Sequence, residues 1–278
     1  MMSRHETGYV EYPGTRLYYE IDGKGPALTL IHAGVAHLRM WDAQVAAFGD
    51  RYTVVRYDER GFGRTVTEDV PYSNYGDLCR LLDHLGIERT HLVGNSRGGM
   101  IALDFALEFP GRVRSLVLVG SGMGGFDADD PRLTDVWPEI ERLYEQKDYA
   151  AVAELETQIW TDGPGQPPTR VDPELRRRMV QWNLENYLAE QDAPQVQRLD
   201  PVAAERLSEI DIPTLVIWGR LDEAGANAAG EKLAREISGA QSHVFDDVAH
   251  MVSLEKPAEF DQLLADFLAQ VDPAEANG

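Results

Sequence analysis

The sequence has a single cysteine, few lysines and no long hydrophobic run. Because Cys79 has no second cysteine to pair with, an intramolecular disulfide is excluded, which fits a reducing compartment. No apolar stretch approaches the roughly 20 residues of a membrane-spanning helix. The first residues are polar and lack the apolar stretch of a secretory signal. We therefore expect a cytoplasmic protein without a membrane anchor.

Basic residues are scarce relative to acidic ones. The chain has 26 lysines and arginines against 47 aspartates and glutamates, so its net charge at pH 7 is -21. Nucleic acids and anionic membrane surfaces repel such a chain, and we expect neither as a partner. The 43% of hydrophobic residues is enough for a sizeable core. We expect a small-molecule substrate and a monomer or homodimer.

Short apolar runs alternate with helix-like segments over much of the chain. Apolar runs of this length are typical of strands buried on both faces, and their alternation with helices predicts right-handed crossovers and a parallel sheet. Two strand candidates joined by a Pro-Gly turn precede the alternation and predict a hairpin. The predicted strands span residues 9–12, 17–21, 27–31, 52–57, 90–93, 113–119, 213–218 and 242–245.

The alternation stops after residue 119, and the next stretch is mostly helical and polar. We therefore predict an α/β core of residues 1–121 and 210–278, interrupted by a helical cap of residues 122–209. An insertion between strands at their carboxyl ends would lie over the crevice where such sheets bind ligands. A structural addition without a role in binding is the alternative.

The strongest motif is Gly94-Asn95-Ser96-Arg97-Gly98, which lies between a predicted strand and a predicted helix. A serine on so tight a turn has a strained backbone, and side chains at the two flanking glycines would collide with their neighbours. The turn raises the hydroxyl above the sheet and directs the helix N-terminus at a developing oxyanion. We predict Ser96 as a nucleophile; a glycine-rich packing turn is the alternative.

A serine hydroxyl needs a general base to become a good nucleophile, and the base needs an orienting acid. After a Gly-x-Ser-x-Gly turn, the acid and then the histidine follow along the chain. Of seven histidines, His243 and His250 follow a suitable acid. His243 lies within the last predicted strand, whereas His250 lies in the loop at its carboxyl end. His250 is therefore the predicted base.

Asp222 is the predicted acid, because it lies in the loop directly after the predicted strand 213–218. The segment after strand 113–119 has no acid until Asp127, which also favours Asp222. The carboxylates that remain as rivals are Glu223, Asp246 and Asp247.

Two backbone amides are expected to bind the oxyanion. One is the amide of Arg97, and the other is the amide of Val35 in the loop after strand 27–31. In the same loop, Gly34 lets the backbone approach a substrate carbonyl, and His32 is expected to brace the loop. The Arg97 guanidinium has two interpretations: it binds a substrate carboxylate, or it pairs with a carboxylate of the core or cap.

Further residues are candidates for the substrate pocket because they are apolar or aromatic and belong to the cap, its entrance or the loops around the predicted triad. Packing of the cap onto the core is the alternative for each of the tryptophans. The pocket candidates are His32, Gly34, Met123, Phe126, Trp137, Trp160, Trp182 and Met251.

Together these residues resemble the α/β-hydrolase superfamily. The resemblance includes residues 57–64, similar to the family's Asp-x-Arg-Gly-x-Gly segment, and it covers about residues 9–121 and 210–270. It implies a mostly parallel central sheet flanked by helices, with an inserted helical cap. Within the superfamily the chain looks most like small bacterial esterases and lactonases, and somewhat like C–C bond hydrolases that act on ring-cleavage products. Related epoxide hydrolases and haloalkane dehalogenases carry Asp where this chain has Ser96.

We therefore expect a serine hydrolase of small carboxylic esters or lactones that works through an acyl-enzyme. This chemistry requires no cofactor, and the sequence shows no metal-ligand spacing. Two alternatives remain: a C–C bond hydrolase, and a ligand receptor that keeps the fold but turns over slowly.

Overall fold

The computed structural model describes residues 5–189 and 195–272. Its centre is a mostly parallel sheet with the order β1-β2-β4-β3-β6-β7-β8-β9, and β5 pairs with β2. Strand β2 runs antiparallel to β1 and β4, whereas neighbouring strands from β4 to β9 are parallel. The strands are β1 (His5–Tyr12), β2 (Thr15–Gly23), β3 (Ala27–Ile31), β4 (Thr53–Tyr57), β5 (Val66–Thr67), β6 (Thr90–Asn95), β7 (Val113–Val119), β8 (Thr214–Gly219) and β9 (Gln241–Phe245).

Helices flank the sheet. They are α1 (Asp42–Phe48), α2 (Asn74–His84), α3 (Arg97–Glu108), α4 (Val136–Glu145), α5 (Tyr149–Thr157), α6 (Pro173–Leu188), α7 (Ala224–Glu236), α8 (Val252–Glu255) and α9 (Pro257–Val271). This arrangement confirms the predicted α/β class with a mostly parallel sheet and flanking helices. In the part of the chain that the structure describes, no helix is long and apolar enough to cross a membrane.

The core has two apolar clusters, one on each face of the sheet. Successive side chains of a strand point to opposite faces, and β7 follows this rule: Leu116 and Leu118 belong to one cluster, Val117 and Val119 to the other. Burial on both faces explains why the central strands are continuous apolar runs rather than alternating ones.

Helices α4, α5 and α6 lie between β7 and β8 along the chain, within the segment predicted as a cap. The start of α6 follows from its sequence: Pro173 occupies the first turn, and the Asp172 carboxylate accepts hydrogen bonds from the amides of Glu174 and Leu175. Such an N-cap stabilises a helix by about 1 kcal/mol. After α5 the chain continues as a π-helix, Gln158–Asp162.

Candidate active site

Ser96 lies at the junction of β6 and α3, at the carboxyl end of the central strands. Its φ of 56° and ψ of -117° are unusual for a residue with a side chain, and such a conformation costs about 1–3 kcal/mol. A Cβ on Gly94 would lie 2.2 Å from the Gly98 carbonyl oxygen, and one on Gly98 would lie 2.3 Å from the Ile31 carbonyl oxygen. Both glycines are therefore required by close backbone contacts.

His250 and Asp222 form a short, buried hydrogen bond. The His250 Nδ1 proton is donated to Asp222 Oδ2 at 2.6 Å, and both side chains are almost fully buried. The other carboxylate oxygen of Asp222 accepts a hydrogen bond from the Glu223 amide at 2.8 Å. Because the ring proton is on Nδ1 and faces Asp222, the Nε2 atom of the neutral ring is free to accept a proton. Ser96 and His250 line the same cavity.

The pKa of His250 is raised above its usual value of 6.5. Burial alone lowers the pKa, because it penalises the imidazolium. The charge of Asp222 and its hydrogen bond outweigh burial, with a smaller contribution from Glu223. The site therefore stabilises the cationic imidazole that forms when a base accepts a proton.

The rival carboxylates are engaged elsewhere. Glu223 caps α7, where its two oxygens accept hydrogen bonds from the amides of Gly225 and Ala226. Asp246 pairs with Arg220, and Asp247 pairs with Lys256. Of these four carboxylates, Asp222 is the one for which the described part of the chain shows a hydrogen bond accepted from His250.

The loop that carries Val35 is braced by His32, as the sequence predicts. His32 is fully buried; its Nδ1 donates to the Ala33 carbonyl at 2.8 Å, and its Nε2 accepts from the Glu59 amide at 3.0 Å. Gly34 lies against Arg97, because a Cβ on Gly34 would be 3.5 Å from Arg97 Cδ. The two chain segments that carry the predicted oxyanion donors are thus neighbours.

Helix α6, in the segment predicted as a cap, also contacts this loop. Asn186 of α6 donates from Nδ2 to the Ala36 carbonyl at 3.0 Å. One turn earlier in α6, the Trp182 ring lies 5.1 Å from the His37 ring, edge to face. The loop is therefore supported on one side by the contact of His32 with the Glu59 amide and on another side by α6.

Arg97 forms an ion pair with a buried core carboxylate, which is one of its two predicted roles. Its Nε donates to Glu59 Oε2 at 2.6 Å, and its guanidinium lies over the Phe62 ring. Burial lowers the pKa of Arg97, but Glu59 outweighs it and the pKa is raised. The Arg97 side chain is 34% exposed and lines a second cavity with Tyr75 and Asp104.

The cavity beside Ser96 is open to solvent, and the space in it, including the part that opens to solvent, is about 530 Å³. Two of the predicted pocket residues, Phe126 and Trp160, line it, and the Trp160 ring lies 4.7 Å from the His250 ring. Met100 lines both this cavity and the one beside Arg97. Met100 is a lining residue that the sequence analysis does not name; it follows Ser96 by four residues, a spacing that places both on one face of α3.

The other pocket candidates lie away from this cavity lining, and for them the structure corrects the prediction. Trp137 is 42% exposed and packs on Trp160. Trp182 packs on the Val35 loop, and Met123 and Met251 are buried in the two core clusters. His32 and Gly34 belong to the loop itself.

Acidic side chains are present in the cavity beside Ser96. Asp127 and Glu223 both line it. Burial raises the pKa of Glu223, although its two backbone hydrogen bonds oppose this shift. Within residues 5–189 and 195–272, no group of three His, Cys, Asp or Glu side chains is arranged to hold a metal ion.

Comparisons with known proteins bear on this site. A family described as the alpha/beta hydrolase fold matches residues 26–257. The 2-hydroxy-6-oxo-6-phenylhexa-2,4-dienoate hydrolase of Comamonas testosteroni is 32% identical over 268 residues, 91% of each chain. A 2-hydroxy-6-oxononadienedioate/2-hydroxy-6-oxononatrienedioate hydrolase of Paraburkholderia phymatum is 35% identical over 270 residues, covering 92% of this chain and 91% of that one.

A solved structure is also similar. The enol-lactonase of Burkholderia xenovorans superposes with a TM-score of 0.76 at 26% identity, covering 94% of this chain and 99% of the enol-lactonase.

Proposed function

Because this chain belongs to the α/β-hydrolase family, we propose that it hydrolyses a small carbonyl compound by addition of Ser96 to the carbonyl carbon. The observation that carries this proposal is the 2.6 Å hydrogen bond between His250 and Asp222, beside a cavity that His250 shares with Ser96. A buried carboxylate that orients an imidazole next to a serine is the arrangement that activates a hydroxyl for acyl transfer.

We infer that the bond cleaved is a C–C bond next to a ketone, in a 2-hydroxy-6-oxo-dienoate. The support is the pair of relatives at 32% and 35% identity over nine-tenths of the chain. Their named substrates contain no ester, so their hydrolysis has to break a C–C bond beside the oxo group. This replaces ester or lactone hydrolysis, the main expectation from sequence, as the leading proposal.

The proposed steps balance without a cofactor. His250 takes the Ser96 proton as the hydroxyl oxygen adds to the ketone, and the amides of Val35 and Arg97 hold the oxyanion. The C5–C6 bond then breaks in the 2,6-dioxo tautomer, which forms when the 2-hydroxyl proton moves to C5. Its electron pair is delocalised as a dienolate through the 2-oxo group, and this departing fragment takes the proton from His250. Water, deprotonated by His250, finally attacks the acyl group and releases it as a carboxylic acid, and His250 returns its proton to the departing Ser96 oxygen.

Ester or lactone hydrolysis is the second candidate, because two observations favour it. The enol-lactonase structure is similar over almost its whole length. In addition, Asp127 and Glu223 line the cavity beside Ser96, and carboxylates there repel the carboxylate of a dienoate. A dienoate has to direct its carboxylate away from these two residues.

A substrate panel separates the two candidates. We would measure kcat/KM for a 2-hydroxy-6-oxo-dienoate, an enol-lactone and a p-nitrophenyl ester with the same preparation. The leading proposal requires the highest value for the dienoate, and a higher value for the lactone or ester would replace it with the second candidate.

The nucleophile is tested separately with Ser96→Ala. We expect this variant to lose labelling by a fluorophosphonate and to lower kcat by at least about 10³-fold, as removal of a nucleophile does. Ser121→Ala, which changes a buried serine that donates to the Gly122 carbonyl, is the matched control. Equal labelling of wild type and Ser96→Ala would refute the assignment.

A further inference from the structure

The guanidinium of Arg170 joins the end of the cap's π-helix to the loop that carries His250. On the cap side, Nη2 donates to the Thr161 carbonyl and Nε to the Asp162 carbonyl, both at 2.6 Å. On the core side, Nη1 donates to the Asp247 carbonyl at 2.9 Å and to Glu255 Oε2 at 2.5 Å. One side chain thus makes four hydrogen bonds across two chain segments.

Each end of this network lies next to a residue of the site. Thr161 follows Trp160, whose ring packs on His250 at 4.7 Å. On the other side, Glu255 Oε1 accepts a hydrogen bond at 3.0 Å from the amide of Ala249, the residue before His250. Arg170 therefore binds the residue next to Trp160, whose ring packs on His250, and through Glu255 it is connected to the amide of Ala249, directly before His250.

The cap loop also contacts the segment that carries the acid. Gly163 follows the π-helix with a φ of 93°, and a Cβ there would lie 2.8 Å from the Leu221 carbonyl oxygen, directly before Asp222. A side chain at this position would be strained and would push the loop away. The segment at Gly163 therefore lies close to the residues directly before Asp222 and His250.

We propose that Arg170 is a positioning residue that fixes the His250 loop and the Trp160 ring relative to each other, so that the cap holds the base in place. This inference rests on the proposed serine mechanism, because it assigns Arg170 a role in the competence of His250.

Burial of Arg170 and Glu255 makes the loss of these four hydrogen bonds costly. The side chains of Arg170 and Glu255 are 13% and 5% exposed, so neither group can replace its partner with bulk water at low cost. An arginine suits this position because its planar guanidinium presents donors in several fixed directions, whereas a lysine ammonium is a single point charge. Loss of the guanidinium would leave the Glu255 carboxylate buried without its counter-ion.

Stabilisation of the cap alone is the competing interpretation, and Arg176 provides the matched control. Arg176 also binds Asp162, through Nε to both carboxylate oxygens at 3.0 and 2.9 Å, and it pairs with Glu154. Its side chain is similarly buried, at 17% exposed. Its described hydrogen bonds all stay within the cap and reach no residue of the His250 loop.

The test compares Arg170→Ala, Arg170→Lys and Arg176→Ala with wild type in the full chain. The measured quantities are the rate at which a fluorophosphonate labels Ser96, kcat and KM for a p-nitrophenyl ester, and the Tm. We expect Arg170→Ala to lower the labelling rate and kcat by about tenfold or more, the size of effect that misplacement of a catalytic group produces. Added guanidinium chloride, at millimolar levels that do not denature, should restore part of this loss.

Arg176→Ala should lower the Tm without a comparable loss of kcat, and guanidinium should not increase its labelling rate. Arg170→Lys keeps the positive charge, and it replaces Arg170→Ala in the test if that variant does not fold. We expect Arg170→Lys to have a lowered kcat as well. Equal losses of kcat in Arg170→Lys and Arg176→Ala, or no response to guanidinium in a folded Arg170→Ala, would overturn the proposal. If wild type itself does not label at Ser96, the proposed function fails first, and that outcome is distinct from these.

Discussion

As the proposed base, His250 would set the pH range in which this site can act. A general base has to be neutral to accept the Ser96 proton, and the pKa of His250 is raised above 6.5, chiefly because Asp222 outweighs the effect of burial. Activity should therefore fall as the pH drops through a value above 6.5, rather than through the usual value for histidine. The pH profile of kcat/KM measures this directly.

Replacement of Asp222 by Asn tests the cause of that shift. Asp222→Asn removes the charge that raises the pKa and favours the wrong imidazole tautomer, so we expect kcat to fall by about 10³–10⁴-fold and the acidic limb to move to lower pH. Asp246→Asn removes the same charge from an exposed residue paired with Arg220 and is the control. An unchanged acidic limb in Asp222→Asn would show that another group titrates.

At the scale of single elements, the turn from β6 to α3 depends on backbone contact. A Cβ on Gly98 would meet the Ile31 carbonyl oxygen at 2.3 Å, whereas one on Gly111, in the short helix Pro110–Arg112, would meet nothing within 4 Å. We expect Gly98→Ala to lower the free energy of unfolding by about 2 kcal/mol or more and to reduce activity. Gly111→Ala should leave both within experimental error, as measured by urea unfolding and ester hydrolysis. Similar unfolding midpoints for the two variants would contradict this reading of the turn.

Much of the element pattern could be predicted because the central strands are buried on both faces and appear as apolar runs. The turn at Ser96, and Asp222 and His250 after their strands, could be located because parallel strands bring their carboxyl ends to one edge of the sheet. The two-residue strand β5 has no periodicity to detect. The π-helix Gln158–Asp162 lies in the mostly helical stretch predicted as a cap, and nothing in its sequence distinguishes it from an α-helix.

The orientation of the cap tryptophans could not be predicted, because periodicity shows that a face is apolar but not which neighbour covers it. Trp160 and Trp137 contact each other, yet only Trp160 lines the cavity. Nothing in the sequence indicated the contacts of Arg170. Three of its four partners are backbone carbonyls, and any residue type supplies a carbonyl.

At the scale of the whole molecule, the net charge of -21 is the largest electrostatic feature. Arginines pair with many of the carboxylates, but the excess of negative charge repels itself and destabilises the compact state. Because salt screens this repulsion, we expect the Tm to rise when sodium chloride is added at constant pH, as measured by circular dichroism. A Tm that falls with salt would show that the local ion pairs outweigh the overall repulsion.

The contact of α6 with the Val35 loop has a consequence for the order of events in one turnover. If α6 moves away to admit a substrate, the loop loses Asn186 at the Ala36 carbonyl and Trp182 at His37. A substrate that has entered an open molecule would then meet an incompletely formed oxyanion site. Substrate entry and bond cleavage would therefore take place in different conformations of the molecule.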